Sequence, residues 1–155
     1  MIDLKVQLEN KFANVIDYYN FELIDWNKDE VSLLNKKGNF VLNIKTHFDN
    51  VYAEYIIKNN ADNLISYDIS NYLSSKCDDE DRKGITNPDN VESRLKAILL
   101  IWSKCLSRKF DDMLKGEINW VNDYEEFKLT GIPRMIQEKN KEILKKELTA
   151  RPNLF

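Results

Sequence analysis

The chain has 155 residues, 23 of them basic and 26 acidic, for a formal net charge of −3. That length suits one domain with its own hydrophobic core, and the slightly acidic balance offers no broad positive field to a nucleic-acid backbone. The longest apolar run, Ala97 to Trp102, is too short to span a bilayer, so neither nucleic acid nor membrane is expected as a partner.

The first twenty residues place Leu4, Leu8, Phe12, Val15 and Tyr19 at three- and four-residue steps, which predicts one helix of about four turns over 1–20. Acids and lysines interrupt every apolar run in it, so it is no signal-peptide core. From Phe21 the period changes to two. Runs at Phe21 to Trp26, Glu30 to Asn35, Asn39 to Phe48 and Val51 to Lys58 are separated by short turn-like pieces. They predict a four-stranded antiparallel meander over 21–58. In the third run Phe40, Leu42, Ile44 and Phe48 alternate against Val41, Asn43, Lys45 and His47. The first set is expected in the core and the second, with His47, on the solvent side.

Helices are expected over 65–149. A short one runs from Ser66 to Lys76, and the acidic connector "KCDDEDRKGITNPDN" follows it. The principal helix carries Val91, Leu95, Ile98, Leu99, Trp102, Leu106, Phe110 and Met113, with Asp89 or Asn90 as cap and Gly116 as stop. Leu100 falls nearly opposite that stripe. A helix from Asn119 to Leu129 and a last helix opened by Pro133 complete the chain. The fold class is therefore α+β in a single domain of 1–155: an N-terminal helix, a four-stranded meander and a helical C-terminal half packed on the sheet.

The connector resembles a calcium loop only at first sight. Asp79, Asp81 and Gly84 fall in EF-hand register, but Lys83 and Asn90 stand at the fifth and twelfth positions where oxygen ligands belong. It reads as a solvated link with Asp78, Asp79, Glu80 and Asp81 open to a basic partner. Cys77 and Cys105 lie far apart at no metal-ligand spacing, and no N-x-Ser/Thr sequon occurs. Free thiols in a reducing cytoplasm are expected, and neither a metal nor a cofactor. The glycines are isolated, so no phosphate-binding loop exists. His47 is the only histidine, and an enzymatic reading has to use it together with carboxylates gathered by the fold. Trp120 and Tyr124, four apart beside Asp123, Glu125 and Glu126, form either an acid-edged aromatic anchor for a basic partner or plain core packing.

The order helix, antiparallel meander, long core helix and then "LKGEINWVNDYEEF" resembles small bacterial immunity proteins encoded beside polymorphic or contact-dependent toxins. The resemblance rests on Met113 to Phe127, where Leu114, Gly116, Trp120 and Tyr124 match a recurring Leu-x-Gly followed by Trp and Tyr. It implies a non-enzymatic cytosolic protein that blocks a cognate toxin, here a basic toxin domain, by direct binding through acidic surface. The competing expectations are an enzyme of unrecognised type built on His47, and a structural subunit that associates through Leu100 or the C-terminal helix.

Overall fold

Asp3 starts the first helix, its carboxylate accepting from the Val6 N–H at 3.3 Å. The computed structural model describes residues 2–127 and 133–151. Helix α1 spans Leu4–Lys11 and α2 spans Ala13–Tyr19, with a break at Phe12 where a single helix was expected. The break is local, because the Phe12 N–H still reaches the Leu8 carbonyl and the Ile16 N–H the Phe12 carbonyl. Leu4, Leu8, Phe12 and Val15 are all fully buried, each contributing roughly 2 kcal/mol of apolar burial. Asn20 ends α2 in the left-handed region, where a short polar side chain is tolerated.

The sheet has six strands rather than four, all antiparallel and in sequence order: β1 Glu22–Asn27, β2 Glu30–Asn35, β3 Phe40–His47, β4 Asn50–Lys58, β5 Leu64–Asp68 and β6 Arg134–Ile136. Strand β5 takes Ser66–Asp68 out of the expected helix, which begins only at Ser70 (α3, Ser70–Lys76). Four of its five residues are buried, so Leu64, Ile65, Ser66 and Tyr67 show no apolar alternation to read. The turn before it is built by Asn59, whose side chain accepts from the Ala61 and Asn63 N–H groups. Strand β6 replaces the first turn of the expected last helix by pairing with β5. Beyond it come a 3-10 turn at Lys139–Lys141 and a one-turn helix.

The helices continue with α4 Asp79–Arg82, α5 Val91–Lys109, α6 Asp111–Leu114, α7 Trp120–Glu126 and α8 Leu144–Glu147. Asn90 caps α5, accepting from the Ser93 N–H at 2.8 Å. Helix α5 ends at Phe110, earlier than the Gly116 stop expected, and α6 carries the chain to that glycine. The expected end of α7, at Leu129 and Gly131, lies outside the described residues. Among the described residues no helix is long and apolar enough to cross a membrane.

Helices α1, α2, α3, α5, α6 and α7 cover one face of the sheet, where Leu33, Leu42, Ile44, Tyr55 and Tyr67 meet Leu8, Leu99 and Leu106. The other face is apolar only at one end. There Leu34, Val41, Ile56 and Leu64 are capped by Ile136, Leu144 and Leu148 from the C-terminal segment. The rest of that face is mostly polar, with Trp26 donating to Ser32 and Tyr52 paired with Lys45.

A glycine pair joins sheet to helices. Gly116 has φ +90°, and a Cβ on it would lie 2.0 Å from the Gly38 carbonyl oxygen. Asn35 donates to the Leu114 carbonyl at 3.1 Å and accepts from the Gly38 N–H at 2.8 Å, and Arg151 donates to the Gly116 carbonyl at 3.0 Å. The β2–β3 turn is thereby locked against the end of α6.

Candidate functional site

The acidic connector is ordered rather than open. Asp78 caps α4, accepting from the Glu80 and Asp81 N–H groups, while the Asp81 carboxylate accepts from the Asp78 N–H at 2.9 Å. Asp81 is fully buried, and Arg108 reaches it at 2.6 Å. Asp78 pairs with Arg108 at 2.9 Å and Lys109 at 2.7 Å. Those two cations hold the Asp78 carboxyl well below the usual carboxylate range. Burial alone would raise Asp81, but the Asp78 N–H and Arg108 together bring it down. So Asp78 and Asp81 are neutralised within the chain, a correction to the open acidic loop expected. Asp79 and Glu80 remain exposed.

The aromatic pair on α7 faces inward. Trp120 is 7% exposed and Tyr124 1%; both meet Tyr67 edge-on, Tyr124 also meets Tyr72 edge-on, and Trp120 meets Tyr72 tilted. The Tyr124 hydroxyl donates to the Asp68 carbonyl at 3.0 Å, and burial pushes its pKa up to about 12. These rings pack α7 onto the sheet, which is the core reading of the two that the sequence left open. Asp123 is held by Lys76 at 2.9 Å and by the Tyr72 hydroxyl at 2.8 Å. Glu125 and Glu126 face solvent. Leu100 is half-buried and lines a shallow groove with Ile85 and Pro88 of the connector.

On the polar half of the open sheet face, cross-strand pairing assembles a charged network that periodicity alone did not reveal. Asn43 is central. It accepts from Ser32 at 2.6 Å and donates to Glu30 at 2.8 Å and Glu54 at 3.2 Å. Lys45 and Arg134 reach Glu54 at 2.9 and 2.8 Å, Ser66 donates to it at 2.7 Å, and the buried Lys141 meets Glu30 at 2.6 Å. Burial alone would raise Glu54, yet the hydrogen bonds from Ser66 and Lys45, with the Arg134 charge, hold its pKa down at about 2. The sequence signal was Glu54 itself, a carboxylate within the apolar part of "VYAEYIIK".

His47 is exposed, as expected, and lines a groove on this face with Tyr52, Glu54 and Asp68. The enzymatic reading needs a carboxylate able to exchange a proton near neutrality. Glu54 is locked as an anion, and one Asp68 carboxylate oxygen accepts from the Ser70 N–H at 3.0 Å. The groove therefore offers charged neighbours to His47, and Glu54 in it is not poised as acid or base.

The β3–β4 hairpin gives the clearest departure from the sequence pattern. Its loop is Phe48–Asp49, because His47 pairs with Asn50. Phe48, expected in the core with Phe40, Leu42 and Ile44, is instead 83% exposed at φ +54°, a region that L side chains avoid. Its ring lies 4.2 Å from that of His47. Beneath it is a recess of about 330 Å³ walled by Ile2, Phe48, Val91 and Leu95, whose charged lining residues are Asp29 and Glu92. Arg94 ties the hairpin to α5 through Asp49 at 2.7 Å. An exposed aromatic over an acidic, apolar-walled recess suits a long basic side chain, its methylenes on the apolar walls and its charge at the carboxylates.

Two further residues meet although the sequence keeps them apart. Helix α3 packs on α5, and this brings the Cys77 and Cys105 thiols together with the Asp81 carboxylate, one ligand atom of each lying within 4.8 Å of the others. The neighbouring Cys77 thiol, together with burial, pushes the Cys105 thiol above its usual range. Compared with protein-family models, with curated proteins and with solved structures, the chain shows no match.

Proposed function

We propose that the protein is a non-enzymatic binding protein of the immunity type, neutralising a basic toxin domain through the Phe48 hairpin and the acidic recess beneath it. The observation that carries this is Phe48: a large aromatic held 83% exposed at positive φ, with His47 as its ring neighbour. Local strain of this kind persists where it serves a function. Asp29 and Glu92 give the recess negative charge, and the exposed Asp79, Glu80, Glu125 and Glu126 extend the negative field that steers a cationic partner. Asp78, Asp81, Trp120 and Tyr124, being committed within the fold, act as scaffold in this reading.

The test is titration calorimetry against the toxin domain encoded by the neighbouring gene. Phe48→Ala is expected to weaken binding about 30-fold, the scale of a hot-spot truncation, with the circular dichroism spectrum unchanged. Reversing Asp29 and Glu92 to lysine is expected to slow association and flatten its salt dependence. Unchanged affinity in both variants would remove the proposed surface, and no binding to any such basic domain would remove the immunity reading.

A further inference from the structure

We propose that Cys77, Asp81 and Cys105, with the Leu73 carbonyl, form a binding site for a thiophilic divalent cation of the zinc type. The donors come from separate pieces of the chain: Cys77 at the end of α3, Asp81 in α4 and Cys105 towards the C-terminal end of α5. Both thiols already point at one acceptor, the Leu73 carbonyl, at 3.2 Å for Cys77 and 4.0 Å for Cys105. The carbonyl thus lies beside both thiols, and the three side-chain donor atoms lie within 4.8 Å of one another.

The spacing suits a tetrahedral ion. Zinc bonds of about 2.3 Å to sulfur and about 2.0 Å to oxygen put neighbouring ligands roughly 3.5–3.8 Å apart. The three side-chain donors, all within 4.8 Å of one another, reach that separation by moves of under about an ångström. Two thiolates and one carboxylate select a soft cation over calcium or magnesium, which take oxygen ligands.

The surroundings also fit. The Asp78 N–H and Arg108 already orient the Asp81 carboxylate, as outer hydrogen bonds do around metal ligands. Three anionic ligands around a doubly charged ion leave one net negative charge facing Arg108 and Lys109, so these cations stabilise the loaded site. Cys105 and Asp81 are buried, while Cys77 is half-buried and gives an entry path. The binding reaction expels the two thiol protons to solvent and involves no redox step.

The proposal is independent of the partner surface, and its test uses Co²⁺ as the probe. The full chain is reduced, both thiols are counted with a chromogenic disulfide reagent, and Co²⁺ is titrated without reductant under argon. Expected are a thiolate-to-cobalt charge-transfer band and the strong visible bands of tetrahedral cobalt, saturating at one equivalent and abolished by Zn²⁺. Cys77→Ser, at a half-buried helix end, is expected to keep its circular dichroism spectrum and to weaken binding by about 100-fold or more. Cys105→Ser provides the second variant. Weak octahedral cobalt spectra from a protein with both thiols free would overturn the site, as would unchanged binding by a folded Cys77→Ser. A protein that forms only a Cys77–Cys105 disulfide in air and takes up no cobalt when reduced would likewise overturn it.

Discussion

Replacing Glu54 by glutamine tests whether the polar half of the sheet face is held together by charge. Glu54 is 6% exposed and its pKa is held at about 2, against an ordinary value of 4.5. The folded state therefore keeps the carboxylate charged where the unfolded chain has already taken up a proton. This contribution is complete above pH 4.5 and is lost as the pH falls towards 2. Its size follows from the shift: at about 1.4 kcal/mol per unit it amounts to roughly 3 kcal/mol. Lys45 and Arg134 are partly exposed and can rehydrate when the carboxylate is gone. Glutamine also keeps one acceptor for Ser66. The variant should thus be less stable by about 2–3 kcal/mol at pH 7, and the gap should close to under about 1 kcal/mol near pH 2. Urea titrations of both proteins at five pH values between 2 and 7, followed by tryptophan fluorescence, give the difference directly. Carboxylates other than Glu54 cancel in the subtraction. A difference as large at pH 3 as at pH 7 would refute the reasoning, because the Glu54 charge would then have no part in it.

Two further contrasts probe the scaffold. Asp81→Asn removes the buried partner of Arg108 and one half of the α4 capping box, and should cost on the order of 3 kcal/mol. Glu80→Gln, on the exposed side of the same turn, should change urea stability by less than about 0.5 kcal/mol. Gly116 and Gly84 both have positive φ, but only at Gly116 would a Cβ strike the Gly38 carbonyl, since nothing lies within 4 Å at Gly84. Gly84→Ala should cost about 1 kcal/mol of backbone strain, and Gly116→Ala clearly more, visible as a larger fall in melting temperature.

The first four strands were legible because turn residues and alternation coincide there, and α5 because its stripe and Asn90 cap agree. Strand β5 was not, since burial on both faces erases the two-residue period, and Ser66–Asp68 joined the helical pattern of the residues behind them. Strand β6 is three residues long and exists through its pairing with β5, a contact that no local window contains. The same logic governs the sites. Cys77 and Cys105 are 28 positions apart in sequence and meet because α3 packs on α5. Asp78 and Asp81 looked free because their cations, Arg108 and Lys109, come from the far end of the principal helix.

Leu114, Gly116, Trp120 and Tyr124, the residues behind the immunity-protein resemblance, all have structural work in this fold. Leu114 offers its carbonyl to Asn35, Gly116 lets the chain approach Gly38, and Trp120 and Tyr124 fill the space between α7 and the sheet. A pattern of this kind specifies a scaffold, and a scaffold leaves open what is bound. Partner recognition then belongs on surface that the core does not constrain. The Phe48 hairpin meets that condition: it projects from the end of β3, Arg94 anchors it through Asp49, and its exposed ring contributes little to the core. Under the proposed function, changing the residues at this tip would alter what the recess accepts while leaving the glycine pair, the α7 rings and the Glu54 network intact. The proposed function therefore makes affinity and stability separable. Phe48→Ala should move the first without the second, and Glu54→Gln the second without the first.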